Sequence, residues 1–425
     1  MTVKRKRILV LFPSEWDRRH LAAARFRDGY EFIFHGDALW QFPEGFLRIV
    51  RLNPLALIDR IADRFAAAGL DAVISTDEYI GVVIAAAIAR RLGLPGGDPA
   101  RIIRSQHKYL SRCEQHRTAP ECVPGFCMVG VPPRREDLRL RFPLFVKPLR
   151  GSFSIFAARV DDHEALEKHL DLNLLWRLGL RTVLRPYNKM LRYFIGDTAD
   201  ANRFIAEEVV EGEQVCVDGF VHEGDIHIGG VIDAVMFPGT DAFERFQYPS
   251  RLRMDVQERI RELAHKLVEG FGLEHGQFNV EFRYDAARDH IGVIEMHPRM
   301  SFQFADMYED VDGLNSYDLL LDLSVGRRPT VCSARGSAKH AASLVVRKFG
   351  GRRLSRLPDQ NALAAFRRRH PFAHVHLYAK KGSMGLEMRA MGSYRCALIN
   401  ASADSLAGLA QIRTDVDEML RFEVA

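Results

Sequence analysis

A chain of 425 residues is long enough for two or three domains, each with its own core, because single cores stop growing well below that length. Hydrophobic residues at 47% and charged residues at 27% are ordinary globular values, which excludes a disordered or fibrous chain. A balance of 60 basic against 55 acidic residues leaves +5, too little and too dispersed to imply nucleic acid, whereas anionic small molecules remain suitable partners. The apolar run Ile8 to Phe12 stops at Pro13, too short for a secretory core or a membrane span, so a cytoplasmic protein is expected. The cysteines show no CxxC pair and no zinc-like spacing, and read as reduced thiols.

Short apolar runs alternate with helical patterns over the first hundred residues: Ile8 to Phe12, Tyr30 to Phe34, a helix from Pro54 to Ala68, Ala72 to Ser75, then a helix from Tyr79 to Leu92. This alternation predicts a small parallel sheet flanked by helices, and no GxGxxG follows any strand, so a dinucleotide site is not indicated. The helix breakers of Leu94 to Pro99 mark a domain boundary, after which one helix is expected from Pro99 to His116. From Phe142 onward close-spaced strands predict an antiparallel sheet, with helices from Leu252 to Gly270, Ser316 to Val325 and Leu406 to Leu420. Between Leu172 and Ile195, Arg177, Arg181, Arg185 and Lys189 fall at i, i+4 spacing. Such a stretch could touch a membrane or a partner, although Pro186 interrupts it and a solvated face on a packed insertion is the simpler reading.

Chemistry concentrates in Gln277 to Tyr284 and Ile291 to Arg299, which read as a hairpin. Any register in which paired residue numbers sum to an even value puts Glu281 and Glu295 on one face, continued by His297 and Arg299. Like charges facing each other across a sheet are destabilising, so a shared hard cation such as Mg²⁺ is the expected reason for the pair. Upstream, Phe145-Val146-Lys147-Pro148 ends a strand with a lysine, and Gly151, Ser152 and Ser154 form a small-residue turn whose backbone N–H groups could cradle phosphate. Glu207, Glu208, Val210 and Glu213 lie at an acidic strand end that could meet an adenine edge and ribose hydroxyls.

Taken in order, these segments resemble the ATP-grasp superfamily, especially its carboxylate–amine ligases, with a layout also similar to biotin carboxylase. The resemblance implies an α/β (α+β) ATP-grasp fold: a Rossmann-like pre-ATP-grasp domain over 1–98, an ATP-grasp domain over 99–330 and a C-terminal α+β domain over 331–425. The lid would cover 120–206 and the catalytic subdomain 207–330. It further implies that Lys108 and Lys147 hold ATP phosphates under the 151–154 turn. Glu207, with the backbone of Glu208 and Val210, would form the adenine hinge, and Glu213 would bind ribose. Glu281 and Glu295 would bridge Mg²⁺, and Arg299 and Lys147 would act on the reacting phosphate.

His297 stands where the family usually has Asn and would be the third metal-side ligand, so Mn²⁺ tolerance is expected because imidazole favours softer ions. Phe302, Gln303, Phe304 and Asp306 would line the acceptor pocket. The implied reaction joins a carboxylate to an amine, amino acids or their derivatives, through an acyl phosphate, releasing ADP and phosphate. A bicarbonate-activating enzyme and a non-catalytic nucleotide sensor are the alternatives, and a homodimer is the default assembly.

Overall fold

The structure, a computed structural model, describes residues 4–39, 44–151, 156–171, 174–197, 199–331, 336–350, 353–380 and 392–425. Strands β1 (Lys6–Leu11), β2 (Tyr30–His35) and β3 (Ala72–Ile74) form the expected parallel sheet in the order β2-β1-β3. Residues 8–11 of β1 are buried because helices cover both sheet faces. Helix Gly81–Leu92 follows β3 after a tight turn. A Cβ on Gly81 would lie 2.5 Å from Ser75 Oγ, so only glycine lets that turn close.

The helix expected from Pro99 to His116 is two helices, Pro99–Gln106 and Lys108–Thr118. His107 breaks them: its Nδ1 accepts from the Leu110 N–H at 3.3 Å, capping the second helix, while its Nε2 donates to the Asp200 carbonyl at 3.0 Å. The break puts Lys108 at a helix start, with its side chain aimed into the cleft described below.

A four-stranded antiparallel sheet follows, β4 (Phe126–Val129), β5 (Leu144–Pro148), β6 (Ala158–Val160) and β7 (Phe204–Glu208), in the order β4-β7-β5-β6. Inserted within it is helix Leu174–Ile195, which continues through Pro186 at the loss of one helical hydrogen bond. Leu184, Tyr187, Met190 and Leu191 hold it in place, and the last three join the core of the first domain. Its exposed positions carry Arg181, Arg185, Lys189 and Arg192 together with Trp176, Leu178 and Tyr193. No helix among the described residues is long and apolar enough to cross a membrane.

The remaining strands are β8 (Glu213–His222), β9 (Asp225–Met236), β10 (Phe243–Tyr248), β11 (His275–Asp285), β12 (His290–His297), β13 (His340–Phe349), β14 (Leu354–Arg356), β15 (His374–Leu377), β16 (Ser393–Ala403) and β17 (Glu423–Val424). One antiparallel sheet of eight runs β12-β11-β8-β9-β10-β13-β16-β15. Strands β13, β15 and β16 of the C-terminal part therefore extend the same sheet as β11 and β12, β14 and β17 pair in a separate two-stranded sheet, and β10, absent from the sequence expectation, joins the two parts of the large sheet.

Candidate active site

The hairpin of β11 and β12 pairs Glu281 directly with Glu295, the even register expected, and Asn279 with His297. Beyond Glu281 the register shifts, with Phe282 opposite Val293, so a bulge at Ile294 separates the site from the rest of the hairpin. Helix Lys108–Thr118 and the lid strands β5 and β7 close over this end. Lys108, Arg112, Lys147, Glu207, Ile294 and Glu295 line the resulting cleft.

Each carboxylate here meets a cation. Lys108 Nζ lies 2.8 Å from Glu295 Oε1, and Lys147 Nζ lies 2.8 Å from Glu207 Oε2. Arg112, one turn beyond Lys108 on the same helix face, donates to Glu207 Oε1 at 2.7 Å and to the Ile294 carbonyl at 2.8 Å. Burial raises the acids of Glu207 and Glu295, yet neighbouring cations outweigh it and hold both at about 2: Arg112 and Lys147 for Glu207, Lys108, His297 and Lys147 for Glu295. Burial pushes the Lys147 ammonium down, with Glu207 opposing that shift.

Glu78, in the loop after β3, completes the network from the first domain. It pairs with Arg299, with His297 Nδ1 at 3.1 Å and with Arg150 at 3.5 Å. These cations hold its carboxyl well below the usual range in spite of burial. Arg150, only 2% exposed, also donates to the Tyr79 carbonyl at 3.1 Å and lies over the Tyr187 ring on helix Leu174–Ile195. That helix therefore packs on the residue that immediately precedes Gly151.

His297 lies between two carboxylates: its Nδ1 faces Glu78 at 3.1 Å and its Nε2 faces Glu281 at 3.3 Å. Burial lowers its pKa, but the two carboxylates prevail and push it up to about 9. Glu281 and Glu295 remain as opposed oxygen donors, and Gln214 Nε2 steadies Glu281 Oε2 at 3.0 Å. Among the described residues no three His, Cys, Asp or Glu side chains alone make a metal cage. Two opposed carboxylates fit an Mg²⁺ ion whose shell is completed by phosphate oxygens and water.

Other expected residues are placed as follows. Gly151 accepts from Lys108 Nζ at 3.1 Å, while Ser152 and Ser154 lie outside the described residues. The Glu207 side chain is taken up by Arg112 and Lys147. Glu208 bonds Gly125 through both its backbone N–H and its side chain, the Val210 carbonyl accepts from Arg283 at 3.2 Å, and Glu213 is exposed at the start of β8. Asp306, expected in the acceptor pocket, instead bonds Arg19 at 2.6 Å and Asn400 at 2.9 Å, tying the first and C-terminal domains together. Gln303 bonds Ser343, and Phe304 is buried against Phe246.

Residues 140–307 match the model of the ATP-grasp domain. The L-amino acid ligase of Bacillus licheniformis superposes over all of both chains with a TM-score of 0.75 at 17% identity. The N5-carboxyaminoimidazole ribonucleotide synthetase of Thermotoga maritima covers 99% of this chain and all of its own, with a TM-score of 0.64 at 14% identity. This chain contains an ATP-grasp domain.

In sequence, the alanine–anticapsin ligase of Bacillus amyloliquefaciens is 25% identical over 280 residues, covering 63% of this chain and 56% of that protein. The uncharacterized protein y4rH of Sinorhizobium fredii is 24% identical over 271 residues, 62% of this chain and 51% of that one. The chain thus spans about half the length of these curated relatives. The matched ATP-grasp domain holds Lys147, Glu207, Glu281, Glu295 and Arg299, while Glu78, Lys108 and Arg112 come from outside it. Glu78 and Arg112 were missed by sequence reasoning. Glu78 follows the C-terminal end of a parallel strand, where α/β sheets place ligand-binding residues, and Arg112 lies at i+4 from Lys108; both signals were open to reading.

Proposed function

We propose that this protein is an ATP-dependent carboxylate–amine ligase that works through an acyl phosphate. The observation that carries this reading is the direct pairing of Glu281 with Glu295, the latter lining a cleft with Lys108, Arg112 and Lys147, while Arg299 pairs with Glu78. Lys108, Arg112, Lys147, Arg150, His297 and Arg299 pair with Glu78, Glu207, Glu281 and Glu295, a cluster of cationic donors that suits a polyphosphate.

Lys108 and Lys147 take the phosphates, each exchanging its glutamate for a phosphate oxygen. Backbone at Glu208 and Val210 meets adenine, and Glu213 meets ribose. A divalent ion held by Glu281 and Glu295, with phosphate oxygens, would neutralise charge on the transferring phosphoryl group. Arg299 orients the substrate carboxylate for attack on the γ-phosphorus and then balances the oxyanion formed when the amine adds. The lid sheet keeps water from the acyl phosphate. The ligase relatives support small carboxylate and amine substrates of the amino-acid class.

Lys108→Met and Lys147→Met are each expected to weaken ATP binding by about 10–100-fold, since a charge-assisted hydrogen bond contributes about 1.5–3 kcal/mol. Fluorescent-nucleotide titration reads this directly. The reading as a whole is tested by ADP release from ATP and Mg²⁺ across a matrix of amino-acid pairs: release confined to particular pairs, one amide per ADP, supports it. Release with bicarbonate and no amine would replace it with a bicarbonate-activating enzyme.

A further inference from the structure

A ligase of this kind needs one group that the residues above do not supply. The amine arrives as an ammonium ion and must lose a proton before its lone pair can attack. Glu78, Glu207 and Glu295 are held ionised by their cations and are poor proton acceptors near neutrality.

On the same sheet face, one strand further in, stands Asp218. Asn279 pairs with His297 on one side and with Asp218 on the other, so the three form a row across β12, β11 and β8, beside the row of Glu295, Glu281 and Cys216. Asp218 is 8% exposed. Its Oδ1 accepts from Asn279 Nδ2 at 2.6 Å, and its Oδ2 is buried, with Ser301 as the further donor beside the carboxylate. A buried carboxylate held by so few donors, and by no close ion pair, is costly and calls for a ligand or a reaction to explain it. The strand also bulges here: Val217 pairs with Val231 and Gly219 with Ile228, so Asp218 faces Gly229 and Gly230, and no side chain from β9 covers it.

We infer that Asp218 is the general base of the second half-reaction, accepting a proton from the attacking ammonium at Oδ2. The inference rests on the ligase reading. As the first proton passes to Asp218, the freed nitrogen lone pair forms the C–N bond to the acyl carbon and the carbonyl π pair moves onto oxygen. That pair re-forms the carbonyl as the C–O bond to phosphate breaks, phosphate leaving with the electron pair; the nitrogen gives its second proton to the departing phosphate, leaving the neutral amide, and Asp218 returns its proton to water. The groups that act on Asp218 are Arg299, Ser301, Asn279, Cys216 and Tyr308. Burial raises the acid, the Asn279 bond, the Arg299 charge and Ser301 lower it in part, and it comes to about 7, the range in which a base works best at neutral pH.

The test separates the two half-reactions. Hydroxylamine is unprotonated at neutral pH and traps an acyl phosphate as the hydroxamate without a base. Full-length Asp218→Asn, given ATP, Mg²⁺ and the preferred carboxylate, is expected to form hydroxamate at a rate within about 3-fold of wild type, while amide formation with the amino-acid amine falls by about 10²–10⁴-fold and partly recovers at high pH. In the wild type, amide formation is expected to rise with pH through a limb near neutrality that hydroxamate formation lacks. Parallel loss of hydroxamate and amide in the variant, unchanged amide formation, or the same pH limb in both wild-type reactions would each overturn the assignment. A wild type that yields ADP but no hydroxamate would remove the ligase reading first.

Discussion

Glu295→Ala is expected to lower ATP turnover by at least about 10²–10³-fold, the usual cost of deleting one preorganised electrostatic contact at a reacting phosphoryl or acyl group. The expectation follows from position. Glu295 is one half of the opposed carboxylate pair, and it also anchors Lys108 at 2.8 Å. Removing it takes away an oxygen donor for the divalent ion and frees a phosphate-binding lysine from its resting partner. Glu295→Gln keeps the shape and the strand contacts but not the charge, and the same loss is expected. The two variants together distinguish charge from packing, and ADP release measures both. Retained turnover in Glu295→Gln would mean that the pair does not hold a metal.

Glu78→Ala is expected to give the largest loss of stability of any single substitution in the site. Its carboxylate is the shared counter-charge of Arg299, His297 and Arg150, all largely buried. Removing one partner of a buried ion pair costs about 3–5 kcal/mol because the remaining charge is left uncompensated, and here three cations remain. Urea unfolding is expected to show a lower midpoint with an unchanged slope. Activity is expected to fall as well, since Arg299 loses the contact that aims it. A variant with wild-type stability would show that these cations find other partners, and that Glu78 does not organise the site.

The functional face of the β11–β12 hairpin was legible on the condition of an even register, because side chains alternate with period two, and that register holds from Glu281–Glu295 to Asn279–His297 while the turn end of the hairpin pairs in the odd one. The bulge at Ile294 was not, as nothing in Val293-Ile294-Glu295 departs from strand chemistry. The break at His107 was hidden for a similar reason. No Gly or Pro marks it, and it forms because the His107 ring caps the next helix and reaches Asp200, 93 residues away.

Pro186 misled in the opposite direction. Its local signal to end a helix is overridden by the packing of Tyr187, Met190 and Leu191 on the first domain. Glu78 meets Arg299 across 221 residues of chain, a contact that no window of sequence contains. The same holds for the continuous eight-stranded sheet, in which β10, reading Phe-Glu-Arg-Phe-Gln-Tyr without clean alternation, pairs with β9 and β13. The carboxylates and lysines of the site were thus readable locally, while the partners that set their charge were tertiary.

The central claim is that the substrate carboxylate, rather than the amine or water, attacks the γ-phosphorus. Isotope transfer tests it most directly. With a carboxylate substrate enriched in oxygen-18, ATP, Mg²⁺ and a productive amine, one labelled oxygen is expected in the inorganic phosphate released for each amide formed. Amide formation with unlabelled phosphate, or with label in AMP, would contradict the acyl-phosphate account.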